Sequence, residues 1–200
     1  MSHYSLHRSR PTCHRLPTRH MIPIMLSLLD HLHDLRVQIM CLGQGQHLFH
    51  QGDPVTGFHV VERGAVHLIR HQPDGAPLIL QRAGPRSVVA EAALYSETYH
   101  CAAVAVGTTQ VARLAKSDVL LRLHGNPDFA DAWSRHLAHE LQNARIQTEI
   151  LSMKTVAARV DAWIVWRRIA PKKGDWKRIA SEISVSPEAF YREMAKRAQN

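Results

Sequence analysis

Between Gln46 and Leu114 the apolar positions fall into short runs, such as Phe58 to Val61, Ala65 to Ile69 and Leu78 to Leu80. These runs are cut by Gln51-Gly52-Asp53-Pro54, Glu62-Arg63-Gly64, Gln72-Pro73-Asp74-Gly75 and Ala83-Gly84-Pro85. Turn chemistry recurring about every ten residues predicts a β-sandwich or barrel. Asp74-Gly75 between two runs predicts a hairpin, because glycine supplies the positive φ of a tight turn. Ahead of this region, within residues 22–37, Met25, Leu28, Leu29, Leu32 and Leu35 recur at spacings of three and four and predict a short amphipathic helix.

After Asp118 the period changes. Phe129, Trp133, Leu137, Leu141, Ala144, Thr148, Leu151, Thr155 and Ala158 step by three or four, and no Gly or Pro occurs from Asp128 to Ala170. A very long helix follows, continuous or broken once, occupying residues 127–170. An apolar stripe beyond a completed barrel needs a cover. The same helix of a second copy is the expected one, and the chain's own barrel is the alternative. Pro171 and Lys172-Lys173-Gly174 end the helix.

The last thirty residues carry a denser pattern. Ile179, Ala180 and Ile183 form one short apolar face, Ser184-Val185 a turn, and Ser186 an N-cap followed by Pro187 at the first helical position. Ala189, Phe190 and Met194 anchor a second helix, which leaves Glu188, Tyr191 and Arg192 on its outer face. This is a helix-turn-helix pattern. In a major groove Arg donates two bonds to guanine and Glu accepts from cytosine, so such a face suits base reading. The alternative is a helical hairpin that caps the protein or binds another protein.

Charge sharpens the picture. The formal charge is +8 over 200 residues, and it gathers at the ends. Residues 1–20 contain Arg8, Arg10, Arg15 and Arg19 without an acid, and residues 167–200 contain nine Lys or Arg against four acids. The basic C-terminal block coincides with the helix-turn-helix pattern, as neutralisation of phosphates requires, and Lys177, Arg178 and Lys196 are its candidate phosphate contacts. Residues 1–20, poor in apolar groups, are expected to form a loose basic tail. The apolar run from Met21 to Leu29 contains Pro23 and lacks a small-residue cleavage site, so a secretory signal is not expected. No run approaches the roughly 20 apolar residues of a membrane span. Cys13, Cys41 and Cys101 are widely spaced, which supports neither a disulfide framework nor a cysteine-only zinc site and fits a cytoplasmic protein. Fifteen histidines are scattered without metal-ligand spacing, and the motifs of nucleophilic, phosphate-cradling and zinc-dependent enzymes are absent from the sequence. A catalytic function is not expected.

Taken in order, Leu48-Phe-His-Gln-Gly-Asp, Val60-Val-Glu-Arg-Gly-Ala-Val, the stretch from Glu91 to Ala103, the long helix and the helix-turn-helix give a chain that resembles the CRP/FNR superfamily of bacterial transcription regulators over about residues 28–196. The resemblance implies an α+β chain: an N-terminal double-stranded β-helix, a jelly-roll-like sensor barrel at 21–126, a dimerisation helix at 127–170, and a helix-turn-helix at 171–200. Ser186, Glu188 and Arg192 match the family's recognition-helix Ser, Glu and Arg, of which Glu and Arg read bases. Pro187 stands where some relatives have another arginine. Relatives follow this helix with a β-hairpin wing on the phosphates, whereas here six residues follow Met194. No evident wing is therefore expected, with the basic clusters or the tail compensating. Double-stranded DNA and a second copy of the chain are the implied partners, with RNA polymerase a further one.

In the resemblance, Glu91 matches the glutamate that holds a ribose 2′-hydroxyl in nucleotide-binding relatives, and Leu94 and Tyr95 match the apolar end of that cassette. The arginine and serine that hold the cyclic phosphate are replaced by Cys101 and Ala102, and two cassette glycines by Ala90 and Ala93. A phosphate buried without its counter-charge is poorly compensated, so binding of cyclic AMP in the usual manner is not expected. The cassette alternatively holds no ligand, with Glu91 capping a short helix. The family also includes haem and iron–sulfur sensors. Three scattered cysteines argue against an iron–sulfur cluster, whereas His100 and Cys101 are candidate haem ligands and Cys101 a candidate redox thiol. The reading that follows is a signal-responsive DNA-binding regulator. The alternative is a signal-binding or protein-interaction module whose C-terminal region does not read DNA.

Overall fold

The computed structural model describes residues 28–72, 75 and 77–199. The expected basic tail, Met25 and Asp74 lie outside the described residues. From Leu28 a helical turn runs to Asp30 and a hydrogen-bonded turn continues to Leu35. Leu28 and Leu32 bury, as their spacing predicted.

Eight antiparallel strands follow: β1 (Val37–Leu42), β2 (His47–Phe49), β3 (Gly57–Arg63), β4 (Val66–His71), β5 (Pro77–Ala83), β6 (Val88–Val89), β7 (Ala102–Ala105) and β8 (Thr109–Ala115). One sheet has the order β1-β8-β3-β6 and the other β2-β7-β4-β5, so strands distant in sequence alternate between sheets, as in a jelly roll. The expected hairpin is present between β4 and β5, with Gly75 at φ +84°. Gly64 turns β3 into β4 at φ +78°, and a Cβ there would sit 2.5 Å from Thr109 Oγ1 and 2.6 Å from the Thr108 carbonyl, so only glycine fits. Inward-facing Phe49, Val61, Val66, Leu68, Ala103 and Val111 fill the space between the sheets. Phe49 stacks on Tyr99 with ring centroids 3.5 Å apart, and the Tyr99 hydroxyl donates to the Gly57 carbonyl at 3.2 Å. Cys41, on β1, is disulfide-bonded, which the spacing of the three cysteines did not anticipate.

Helices α1 (Lys116–Gly125), α2 (Pro127–Ser152), α3 (Val156–Arg167), α4 (Trp176–Glu182) and α5 (Pro187–Arg197) complete the described chain. The helix predicted over 127–170, continuous or broken once, is broken once, at residues 153–155. No glycine or proline marks the break. Thr155 opens α3 as its N-cap, its hydroxyl oxygen accepting from the Ala158 N–H at 3.1 Å. The carbonyls released at the end of α2 find a side-chain donor: Arg159 donates from Nε to Met153 O and from Nη2 to Leu151 O, both at 2.9 Å.

The chain divides into two compact units, residues 1–136 and 137–200, with the boundary inside α2. The apolar stripe of that helix is shared out accordingly. Phe129 and Trp133 are buried in the first unit, where Trp133 meets Phe58 edge-on at 5.7 Å. Ile150 is buried in the second unit with Val160, Trp163, Ile179, Ala180, Ile183 and Phe190. Between them Leu141 remains 52% exposed. The first unit therefore covers part of the stripe, and among the described residues Leu141, in the middle of the helix, stays exposed.

Candidate effector cassette and nucleic-acid interface

The cassette is the segment between β6 and β7. Ala90 turns the chain in the left-handed region at φ 55°, and a 3-10 turn over Glu91–Tyr95 follows. Gln81 on β5 organises the entry to this turn. Its Nε2 donates to Val88 O at 3.1 Å and to Glu91 Oε2 at 2.8 Å, while its Oε1 accepts from the Ala90 N–H at 3.1 Å. Glu91 is thus tied sideways to β5. It is not the N-cap of the turn: Ala90 holds that position, with no side-chain cap bond.

The other cassette candidates take different environments. Leu94 is buried, whereas Tyr95 is 63% exposed. His100 is exposed and its Nε2 lies 3.5 Å from Ser96 Oγ. Cys101 is a free, buried thiol within the barrel core. Burial pushes its pKa up, partly offset by the nearby Arg70 cation, with Glu91 raising it further. A thiol held protonated is a poor nucleophile, so the environment counts against the redox role. Arg70 on β4, unnoticed in the sequence, donates from Nη2 to the His100 carbonyl at 3.1 Å. Lys116, at the start of α1, donates from Nζ to Ser96 O at 2.6 Å, so one cation marks each end of the Ser96–His100 loop. Among the described residues no cluster of three or more His, Cys, Asp or Glu side chains has the geometry to hold a metal ion.

The second site is built by α3, α4 and α5. Apolar spacing at Ile179, Ala180, Ile183 and Phe190 folds α4 and α5 around a shared core, to which Trp163 of α3 also belongs. Between α4 and α5, Ser184 adopts φ 51°, and Ser186 caps α5 by accepting from the Ala189 N–H at 3.2 Å, with Pro187 at the first turn. This is the N-cap and turn that the sequence predicts. Glu188 and Arg192 are exposed, one helical turn apart. The Glu188 carboxylate is held below its ordinary pKa, first by the backbone N–H at the helix start, then by the Ser186 hydroxyl and by Arg192. Tyr191 is only partly exposed, because it leans on Trp176 with ring centroids 5.2 Å apart. It stands at the edge of the outer face.

The basic residues sort into two groups. Lys172, Lys173, Lys177 and Lys196 are exposed. Arg178 instead pairs with Asp175 at 3.4 Å and with buried Glu182 at 3.2 Å, and Arg197 pairs with Asp161 and Glu193, each at 2.6 Å. Arg159 is the positioning residue that no sequence pattern singled out. Besides its bonds to the end of α2, its Nη1 donates to Ile183 O at 3.1 Å and Ser184 O at 3.0 Å, so one guanidinium ties the end of α2 to the helix-turn-helix turn. Local spacing cannot reveal that role, since its partners lie up to 25 residues away.

The described residues thus form a jelly-roll barrel with a cassette turn, followed by α2, α3 and a helix-turn-helix pair. Residues 40–124 match the cyclic nucleotide-binding domain family. The chain is 31% identical over 118 residues to the cyclic AMP receptor protein of Thermus thermophilus, covering 58% of this chain and 55% of that one. The match thus spans about half the length of that relative. Among solved structures, FixK2 from Bradyrhizobium japonicum superposes with a TM-score of 0.66 at 22% identity, covering 81% of this chain and 84% of that one. The catabolite activator protein of Thermus thermophilus superposes with a TM-score of 0.51 at 25% identity, covering 90% of this chain and 84% of that one. Residues 40–124 thus match a cyclic nucleotide-binding-type domain, and the chain is similar in sequence and fold to regulators of the CRP/FNR type. No helix of the described residues is long and apolar enough to cross a membrane.

Proposed function

We propose that this protein is a non-enzymatic, DNA-binding transcription regulator that acts as a homodimer in the cytoplasm and answers a signal received by its barrel. The observation that carries this reading is the α4–turn–α5 unit, whose Ser186-capped second helix exposes Glu188 and Arg192 side by side. In a major groove Arg192 donates to guanine, Glu188 accepts from cytosine, and Ser186 and Tyr191 flank them at the near end and edge of the face. Lys177 and Lys196, with Lys172 and Lys173, supply phosphate contacts. Arg178, paired with Asp175 and Glu182, is not counted among these contacts. Homodimerisation rests on Leu141, exposed among the described residues in the middle of α2, where a second copy of the same helix would remove the apolar surface from water. RNA polymerase is the partner through which such a regulator would act.

For the barrel, the reading is an effector other than cyclic AMP in its usual pose. The cassette presents Glu91, fixed by Gln81, but no cation at Cys101 or Ala102. Selection of bound duplexes from a random DNA pool tests the whole proposal. A dimeric regulator enriches a palindrome whose half-sites lie about one helical turn apart. A pool that stays without consensus contradicts it.

A further inference from the structure

Among the described residues Glu182 is the one buried carboxylate, with 4% of its side chain exposed. It lies on α4 beside Ile179, Ala180 and Ile183, and both its oxygens are taken. Oε1 accepts from Arg167 Nη2 at the end of α3, and Oε2 accepts from Arg178 Nη1 at 3.2 Å. Arg178 also faces Asp175 Oδ1 at 3.4 Å, so its guanidinium meets a carboxylate on two sides. The Arg167 guanidinium lies 3.9 Å over the Trp166 ring. Two cations and two anions make this cluster neutral as a whole. A buried carboxylate held by two arginines gains little stability over an apolar side chain of similar volume, so stability alone is a weak account of it.

A guanidinium fork that holds a carboxylate is the same fork that holds a phosphate. Binding to DNA gains from a cation only when it neutralises a phosphate and so releases counterions, and a cluster already neutralised from within has no charge to spare for that. We infer that Glu182, with Asp175, is an internal counter-anion that withholds Arg167 and Arg178 from the DNA backbone. This inference rests on the DNA-binding reading and adds a specificity role to it. By subtracting two phosphate interactions that every sequence offers, Glu182 lowers affinity for unrelated DNA and leaves discrimination to Arg192 and Glu188. The lysines at 172, 173, 177 and 196 then hold the backbone.

The test is the salt dependence of binding by the full chain, measured by fluorescence anisotropy between about 50 and 200 mM salt on unrelated duplex DNA. The slope of log affinity against log salt changes by about 0.9 for each phosphate that a side chain neutralises. Glu182→Gln keeps the shape and removes the charge. It is expected to steepen the slope by about 0.9 to 1.8, so that each released arginine adds roughly a 3.5-fold loss of affinity across that salt range. Arg178→Ala or Arg167→Ala in the wild-type background is expected to change the slope by much less than about 0.9, and Arg178→Ala added to Glu182→Gln is expected to remove part of the steepening. An unchanged slope in Glu182→Gln overturns the inference. So does a slope shallower by about 0.9 in either single arginine variant, which would mean that the arginine already holds a phosphate. Should Glu182→Gln fail to fold, the two arginine variants decide alone. Wild-type protein that binds no duplex at about 50 mM salt would instead sink the DNA-binding reading itself, and that outcome is distinct from binding with the wrong slope.

Discussion

Gln81 Nε2 lies 2.8 Å from Glu91 Oε2, and the same side-chain amide holds the backbone on either side of Val89. The cassette carboxylate is therefore oriented from β5, a strand that pairs with β4 and not with the cassette. Where the resemblance expects the arginine for a phosphate, Cys101 lies buried in the apolar core, and the neighbouring cation, Arg70, donates to the His100 carbonyl.

Cyclic AMP should therefore show no micromolar binding in a calorimetric titration of the wild-type protein. Supplying the missing groups as Cys101→Arg with Ala102→Ser should tighten binding by about 10- to 100-fold, the worth of one charge-assisted hydrogen bond. Tight binding by the wild type would remove the argument against that ligand.

Arg159 makes four bonds to the carbonyls of Leu151, Met153, Ile183 and Ser184. Truncation to Ala leaves these acceptors without their charged donor and should cost about 2 kcal/mol or more of stability. Arg159→Lys, with one point of donation in place of a fork, should recover only part of it. Urea unfolding of the three proteins, compared at equal slope, reads the difference, and an Arg159→Ala midpoint equal to that of the wild type would show the clamp to be energetically idle.

Much of the helix-turn-helix was legible because its determinants are local. Ser186 followed by Pro187 marks a helix start, and Ile179, Ala180, Ile183 and Phe190 keep the spacing that buries them. The barrel was legible through its turns, with Gly64 and Gly75 at positive φ where the pattern placed them. One break was allowed for, but its position between α2 and α3 was hidden because Thr155 is an ordinary-looking N-cap inside a run without Gly or Pro, and its stabilising donor, Arg159, acts through the fold. Pairings between distant strands or helices, such as Gln81 to Glu91 and Arg167 to Glu182, leave no periodic trace. The cassette reads as one string in the sequence, yet neighbours such as Leu94 and Tyr95 take opposite environments.

Ser184 and Ser186 bracket the turn, and they make opposite predictions. Ser184 is exposed at φ 51°, a conformation that costs a non-glycine residue about 1–2 kcal/mol, so Ser184→Gly should stabilise by up to about 1 kcal/mol after the glycine's own entropy cost. Ser186→Ala removes the cap on α5 and should destabilise by about 1 kcal/mol. Thermal unfolding midpoints moving in the same direction for both variants would contradict this account of the turn.

His59, buried near Phe49 and Tyr99, has its pKa lowered to about 4 by burial, with the Arg113 cation lowering it further. Between this value and the ordinary His value of about 6.5 the unfolded chain binds the proton and the folded one does not. The contribution of His59 is therefore intact above about pH 6.5 and is lost as pH falls towards 4, amounting to about 2 kcal/mol between pH 7 and 5. His59→Gln should flatten the fall in urea-derived stability over that interval. Equal falls in both proteins would place the buried histidine outside the acid response.

The most direct test of the central claim is the binding of wild type and Arg192→Ala to one selected palindromic duplex and to a scrambled duplex of the same composition, at one fixed salt concentration. Reading of a base by Arg192 predicts a loss of about 1–3 kcal/mol, roughly 5- to 150-fold, on the selected duplex and a small change on the scrambled one. Equal binding by both proteins to the selected duplex would mean that α5 holds DNA without reading it, and would contradict the account.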